Sequence, residues 1–162
     1  MTEAEKRLHR CAFTGHRPEK LTKPEYEIKA ALEKEIRRAI GDGFTVFITG
    51  MARGVDLWAA QIVLHIRDKE GENLKLICAV PYMGFNARWS QEDRDMYHAV
   101  LSAADLIRYI ASGYSRDVFQ RRNEWMVDRA ARLIAAYNGT PGGTRNTIDY
   151  AKRKGVPCAF LK

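Results

Sequence analysis

Three segments of this chain combine glycine with groups that hold anions. Each follows a short apolar run. They are Thr14-Gly15-His16-Arg17-Pro18, Thr49-Gly50-Met51-Ala52-Arg53-Gly54-Val55-Asp56, and Asn138-Gly139-Thr140-Pro141-Gly142-Gly143-Thr144. Glycine lets a backbone turn tightly and approach a ligand closely. A helix that starts at such a turn offers unpaired N–H groups and a partial positive charge. Thr14, Thr49 and Thr144 add hydroxyls, and Arg17 and Arg53 add charge. The chemistry expected of this set is phosphate binding. Neither GxGxxG nor GxxxxGK[ST] is present, so the expectation rests on the three turns acting together.

Other titratable residues divide between chemistry and architecture. Asp56 opens a helix, where it can cap the first turn or meet a ribose hydroxyl. His16 stands at a strand end, where an imidazole can exchange protons near neutral pH. Asn123 can point toward the strand ends, and Asp128, five residues on, lies about 140° away around the same helix. Tyr82, Trp89, Trp125 and Tyr137 are the aromatic residues available to stack on a base. His9, His65 and His98 have no partner at metal-ligand spacing, so no metal is expected. Cys11, Cys78 and Cys158 are far apart and lie in apolar runs, which reads as buried reduced thiols.

The elements that must position these residues alternate in type. Strands are expected at 10–14, 44–49, 74–80, 104–110, 133–137 and 157–161. Helices are expected at 25–39, 55–67, 86–101, 116–131 and 144–154. Such alternation implies a mainly parallel sheet of about six strands with helices on both faces, an α/β three-layer Rossmann-like domain spanning 1–162. Most strand runs are apolar throughout, as a doubly covered sheet requires. Ligands of open α/β sheets bind beyond the carboxyl ends of the strands, where all three glycine segments fall.

The 162 residues are 46% hydrophobic and 29% charged, with formal net charge +7. No run approaches a membrane span, and residues 1–10 are too polar for a signal peptide, so a cytoplasmic protein without a membrane partner is expected. Most of the positive excess lies in the second half, where Arg116, Arg121, Arg122, Arg129, Arg132 and Arg145 dominate. Arginine matches phosphate oxygens bidentately, and a basic surface favours polyanions.

Four motifs together resemble the YpsA-like family of the SLOG superfamily: TGHRP (14–18), GMARGVDLWAA (50–60), RNEWMVDRA (122–130) and YNGTPGGTRNTIDYA (137–151). The resemblance runs from about Cys11 to Leu161. It implies a Rossmann-like fold, a role in binding nucleotides or nucleotide-derived ligands of the NAD or ADP-ribose kind, and a homodimer as in other superfamily members. The stretch at 50–56 is similar to the SGxARGID stretch of DprA, which binds single-stranded DNA. The stretch at 141–149 is similar to the PGGxGTxxE motif of LOG-type phosphoribohydrolases, which release a base from a nucleoside monophosphate. Here Arg145 and Asn146 replace the motif's glycine and threonine, and Asp149 stands where its glutamate would be. Three functions therefore stay open. The first is a ligand-binding sensor domain using Thr14, Gly15, His16, Arg17, Gly50, Met51, Ala52, Arg53, Gly54, Asp56, Asn123, Asn138, Gly139, Gly142, Gly143 and Thr144. The second is a hydrolase with Asp149, Asp56 and Arg53 as its candidates. The third is a binder of single-stranded nucleic acid.

Overall fold

A computed structural model describes residues 1–162. The strands are β1 (Arg10–Gly15), β2 (Val46–Thr49), β3 (Lys75–Val80), β4 (Leu106–Tyr109), β5 (Arg132–Ala136) and β6 (Cys158–Phe160). The helices are α1 (Glu3–Arg7), α2 (Glu25–Gly41), α3 (Val55–Lys69), α4 (Gln91–Ala103), α5 (Val118–Asp128) and α6 (Gly143–Arg153), with a 3-10 turn at Pro18–Lys20. All strands join one parallel sheet in the order β4-β3-β2-β1-β5-β6. The chain builds outward from β1 to β4 and then crosses to the other side of β1. The switch of direction falls between β1 and β5, where open α/β sheets form a ligand crevice.

Side chains alternate across the sheet and divide the core in two. Cys11 and Phe13 of β1 face α2, α3 and α4, where Phe13 lies over Phe47 with ring centroids 5.9 Å apart. Ala12 faces the other way, toward Met126 and Val127 of α5 and Ile148 and Ala151 of α6. No helix is long and apolar enough to cross a membrane. Cys11 and Cys78 are buried and Cys158 is half-buried; burial pushes the Cys78 thiol up to about 12, which keeps it protonated and inert.

Four departures from the sequence reading have local causes. The helix expected at 86–101 begins only at Gln91, because Ser90 caps it by accepting from the Asp93 N–H at 3.2 Å. Residues 86–89 form turns instead. The strand expected from Phe44 begins at Val46, since the Phe44 N–H still closes the end of α2 on Ala39 O. β4 is shorter than expected, because the Asp105 carboxylate accepts from Leu76 N–H and Arg67 before the strand begins. It is also an exposed edge strand, unlike the apolar runs of the interior. The fourth is α1, which was not expected; Thr2 and Glu5 form a capping box around its first turn.

Candidate functional site, a cationic hollow beside an aromatic wall

Beyond the carboxyl ends of β1, β2 and β5 lies a hollow of about 440 Å³, a volume in the range of small-ligand sites. Its walls can be built from each strand end in turn.

The end of β1 supplies Thr14, Gly15, His16 and Arg17, and the 3-10 turn adds Lys20. Gly15 is required by packing. A Cβ there would lie 2.6 Å from Cβ of Val55, so only glycine lets α3 start so close to β1. The His16 backbone N–H donates to Ala136 O, and its ring stacks on Tyr137 at 5.4 Å. It is 4% exposed, lines the hollow, and its Nε2 has no partner. A buried unpaired nitrogen costs stability, which fits an acceptor or donor kept for a ligand. Burial and the Lys20 ammonium push the His16 pKa below its ordinary value, with Asn138 acting the other way. The imidazole is therefore neutral at pH 7.

The β2–α3 turn supplies Ala52, Arg53 and Asp56. Thr49 Oγ1 donates to Asp56 O at 2.8 Å, and the Ala52 N–H donates to Asp56 Oδ2 at 3.3 Å. These bonds hold Met51 at φ 63, an uncommon conformation for a residue other than glycine. Asp56 is buried. Burial raises its pKa to about 6, although the nearby Arg122 guanidinium pulls the other way. Arg122 is buried too; its Nη1 donates to Gly50 O at 2.7 Å and its Nε to Asn123 Oδ1 at 2.9 Å. A carboxylate and a guanidinium packed under a cleft, with burial working against both charged forms, is an arrangement that functional sites favour.

The β5–α6 turn supplies Gly143 and Thr144. Gly142 is the N-cap of α6, and no side chain caps that helix. The first i→i−4 bond of α6 is Asn146 N–H to Gly142 O, so the amides before it have no partner within the helix. Lys20 Nζ lies 3.6 Å from where a Gly142 Cβ would be, which brings an ammonium to the same helix start. Helix α5 completes the site. Phe119, Arg122 and Asn123 lie at i, i+3 and i+4 on one face and line the hollow together. An aromatic wall stands beside these cations. Phe85 contacts Trp89 at 5.2 Å and Phe119 at 6.4 Å, and Phe119 lies 5.7 Å from the Arg122 guanidinium.

Of the residues expected from sequence, the hollow gathers Thr14, Gly15, His16, Arg17, Ala52, Arg53, Asp56, Asn123, Gly143 and Thr144. The others do different work. Gly50 is wedged between Asp56 Oδ2 and Arg122, where a Cβ would meet them at 2.7 and 3.0 Å. Met51 is a core anchor, and Gly54 (φ 84) packs on Pro18. Gly139 only turns the loop at φ 92, and Asn138 ties it to the 3-10 turn by donating to Lys20 O at 2.7 Å. Asp149 corrects the hydrolase expectation most directly: it is exposed on α6 and does not line the hollow. Trp125 sits under the Arg129 guanidinium at 4.1 Å, away from the hollow. Lys20, Phe85, Phe119 and Arg122 were not among the expected ligand contacts. For the two on α5, the helical spacing with Asn123 was the available signal.

The profile of the YspA SLOG family matches residues 11–157. The uncharacterized SPbeta prophage-derived protein YoqJ of Bacillus subtilis (strain 168) is 36% identical over 119 residues, covering 66% of this chain and 69% of that protein. UPF0398 proteins of Bacillus thuringiensis and Bacillus cereus are 31% identical over 153 residues, covering 89% of this chain and 83% of theirs. Among solved structures, DNA processing protein A from Helicobacter pylori superposes with TM-score 0.66 at 16% identity. That match covers 98% of this chain and 66% of the other. It was described for its single-stranded DNA binding mode. At that identity the likeness is one of fold.

Proposed function

The chain belongs to the YspA SLOG family, and from that premise we propose that its hollow binds a nucleotide or a nucleotide-derived ligand such as ADP-ribose. One observation carries the reading. The uncapped start of α6, the Lys20 ammonium and the unpartnered His16 Nε2 border the same hollow that has an aromatic wall. The first set suits a phosphate, and the wall of Phe85, Trp89 and Phe119 suits a base. Asp56 is the acceptor available to a ribose hydroxyl. Asn123 keeps its amide NH2 free, since its oxygen is taken by Arg122. The role that follows is a sensor or regulatory domain. With Asp149 outside the hollow, hydrolysis by the LOG-type carboxylate has no support here.

The test is calorimetric and thermal titration with AMP, ADP and ADP-ribose. Saturation at about 100 times Kd should raise stability by roughly 2.7 kcal/mol. Lys20→Gln should weaken binding about tenfold with little change in stability, since Lys20 is exposed and an ammonium-to-phosphate contact is charge-assisted. No stabilisation by any of the three at millimolar concentration contradicts the proposal.

A second reading has its own support. Beside Phe119, Tyr82 contacts Tyr114 at 6.3 Å, and Tyr114 is 71% exposed. An exposed aromatic rim on a protein of net charge +7 suits successive bases of a single strand. The fold neighbour described for single-stranded DNA binding adds to it. Oligothymidylate binding that weakens steeply with salt, and weakens again in Tyr114→Ala, would favour this reading.

A further inference from the structure

Among the hollow's cations, Arg53 already holds an anion. Its Nη1 donates to Glu19 Oε1 at 2.8 Å and lies 3.8 Å from Asp93 Oδ2. Arg122 is spent on Gly50 O and Asn123, while Arg17 and Lys20 have no carboxylate within ion-pair distance. Glu19 belongs to the 3-10 turn that carries Arg17 and Lys20 to the hollow, yet it does not line the hollow itself. Its side chain is 58% exposed, against 28% for Arg53. A tethered carboxylate thus rests on the guanidinium that a bound anion would use.

We infer that Glu19 competes with the ligand's phosphate for Arg53, so that binding exchanges a carboxylate for a phosphate and selects ligands bearing a terminal phosphate or pyrophosphate. The inference rests on the proposed site and adds a specificity filter to it. An exposed ion pair is weak, so displacing Glu19 lowers affinity by no more than about fivefold. A phosphate with two charges and three acceptor oxygens repays that by a bidentate contact with Arg53. A ligand carboxylate offers the guanidinium only what Glu19 already gives, and so gains nothing there. The Arg53 hydrogen bond also holds Glu19 below the usual carboxylate range, which keeps the competitor charged.

The alternative is that Glu19 orients Arg53 and assists binding, and the two roles predict opposite signs. Inorganic pyrophosphate isolates the anion contact from the base contacts. Its affinity for the full chain should be measured by calorimetry at low salt. Glu19→Gln should bind about two- to fivefold more tightly than the wild type. Glu72→Gln, which removes an equal charge at the opposite end of the sheet beside the start of β3, should bind as the wild type does. In an Arg53→Gln background, Glu19→Gln should give no gain. Equal or weaker binding by Glu19→Gln overturns the exchange, and so does a gain that survives without Arg53. If pyrophosphate binds neither wild type nor variants, the anion site itself fails and the exchange fails with it.

Discussion

Arg122→Met will lose about 3–5 kcal/mol of unfolding free energy at pH 7.5, and much of that loss will disappear at pH 5. The first part follows from what Arg122 touches. Its Nη1 satisfies Gly50 O, and its charge is the nearest support for the buried Asp56 carboxylate. Methionine fills similar space and leaves both groups stranded. The pH dependence follows from Asp56. An acid with a raised folded pKa holds its proton more tightly when folded than when unfolded. The stability it contributes therefore falls as pH rises from about 4 through about 6, and is level above that. In the wild type Arg122 limits this cost. Without Arg122 the Asp56 pKa climbs further, so the cost at pH 7.5 grows. At pH 5 Asp56 is mostly protonated in both proteins, and the lost bonds to Gly50 O and Asn123 Oδ1 are what still separates them. Urea denaturation at the two pH values reads the effect directly. A loss of equal size at both would mean that the two buried groups do not communicate.

Gly15→Ala has the next largest effect, about 2–3 kcal/mol of destabilisation. The added methyl would meet Cβ, Cγ1 and Cγ2 of Val55 at 2.6–2.8 Å, and Val55 is a buried, β-branched residue at the first position of α3. It has little freedom to rotate away. The strand and helix must separate, and the hollow bounded by Gly15 and Asp56 must change with them. Gly139→Ala makes a useful contrast. A Cβ there meets nothing, so only the strain of φ 92 is added and the loss should stay near 1 kcal/mol. Thermal denaturation ranks the two. If the two variants are equally stable, close packing of β1 on α3 is not what requires Gly15.

The same pair of glycines explains what the sequence could and could not reveal. Both stand after an apolar run, both signal a turn, and local spacing cannot tell a glycine that admits a helix from one that merely bends a loop. The strand ends were legible because Gly and Pro punctuate apolar runs, and the convergence of three turns followed from parallel topology. The roles within each turn depend on residues far along the chain. Gly50 is constrained by Arg122, 72 positions away, and Asn138 is tied to Lys20, 118 positions away. The helix expected at 86–101 is too long by its first five residues, which belong instead to the turns that carry Phe85 and Trp89. Their real partners are Tyr97 and Phe119 in an aromatic cluster. Asp149 looked catalytic by position in a motif, yet six residues past Gly143 it lies about 240° around α6 and roughly 9 Å along it, out of reach of the hollow.

Phosphate binding in this proposal depends on separate strand-end loops forming one hollow. Amide chemical-shift mapping during an ADP-ribose titration tests it most directly. Saturable shifts are expected at Gly15, His16, Ala52, Gly143 and Thr144, with Gly43 and Lys75 at the far end of the sheet unmoved. Shifts confined to that far end, or no shifts at saturating ligand, would contradict it.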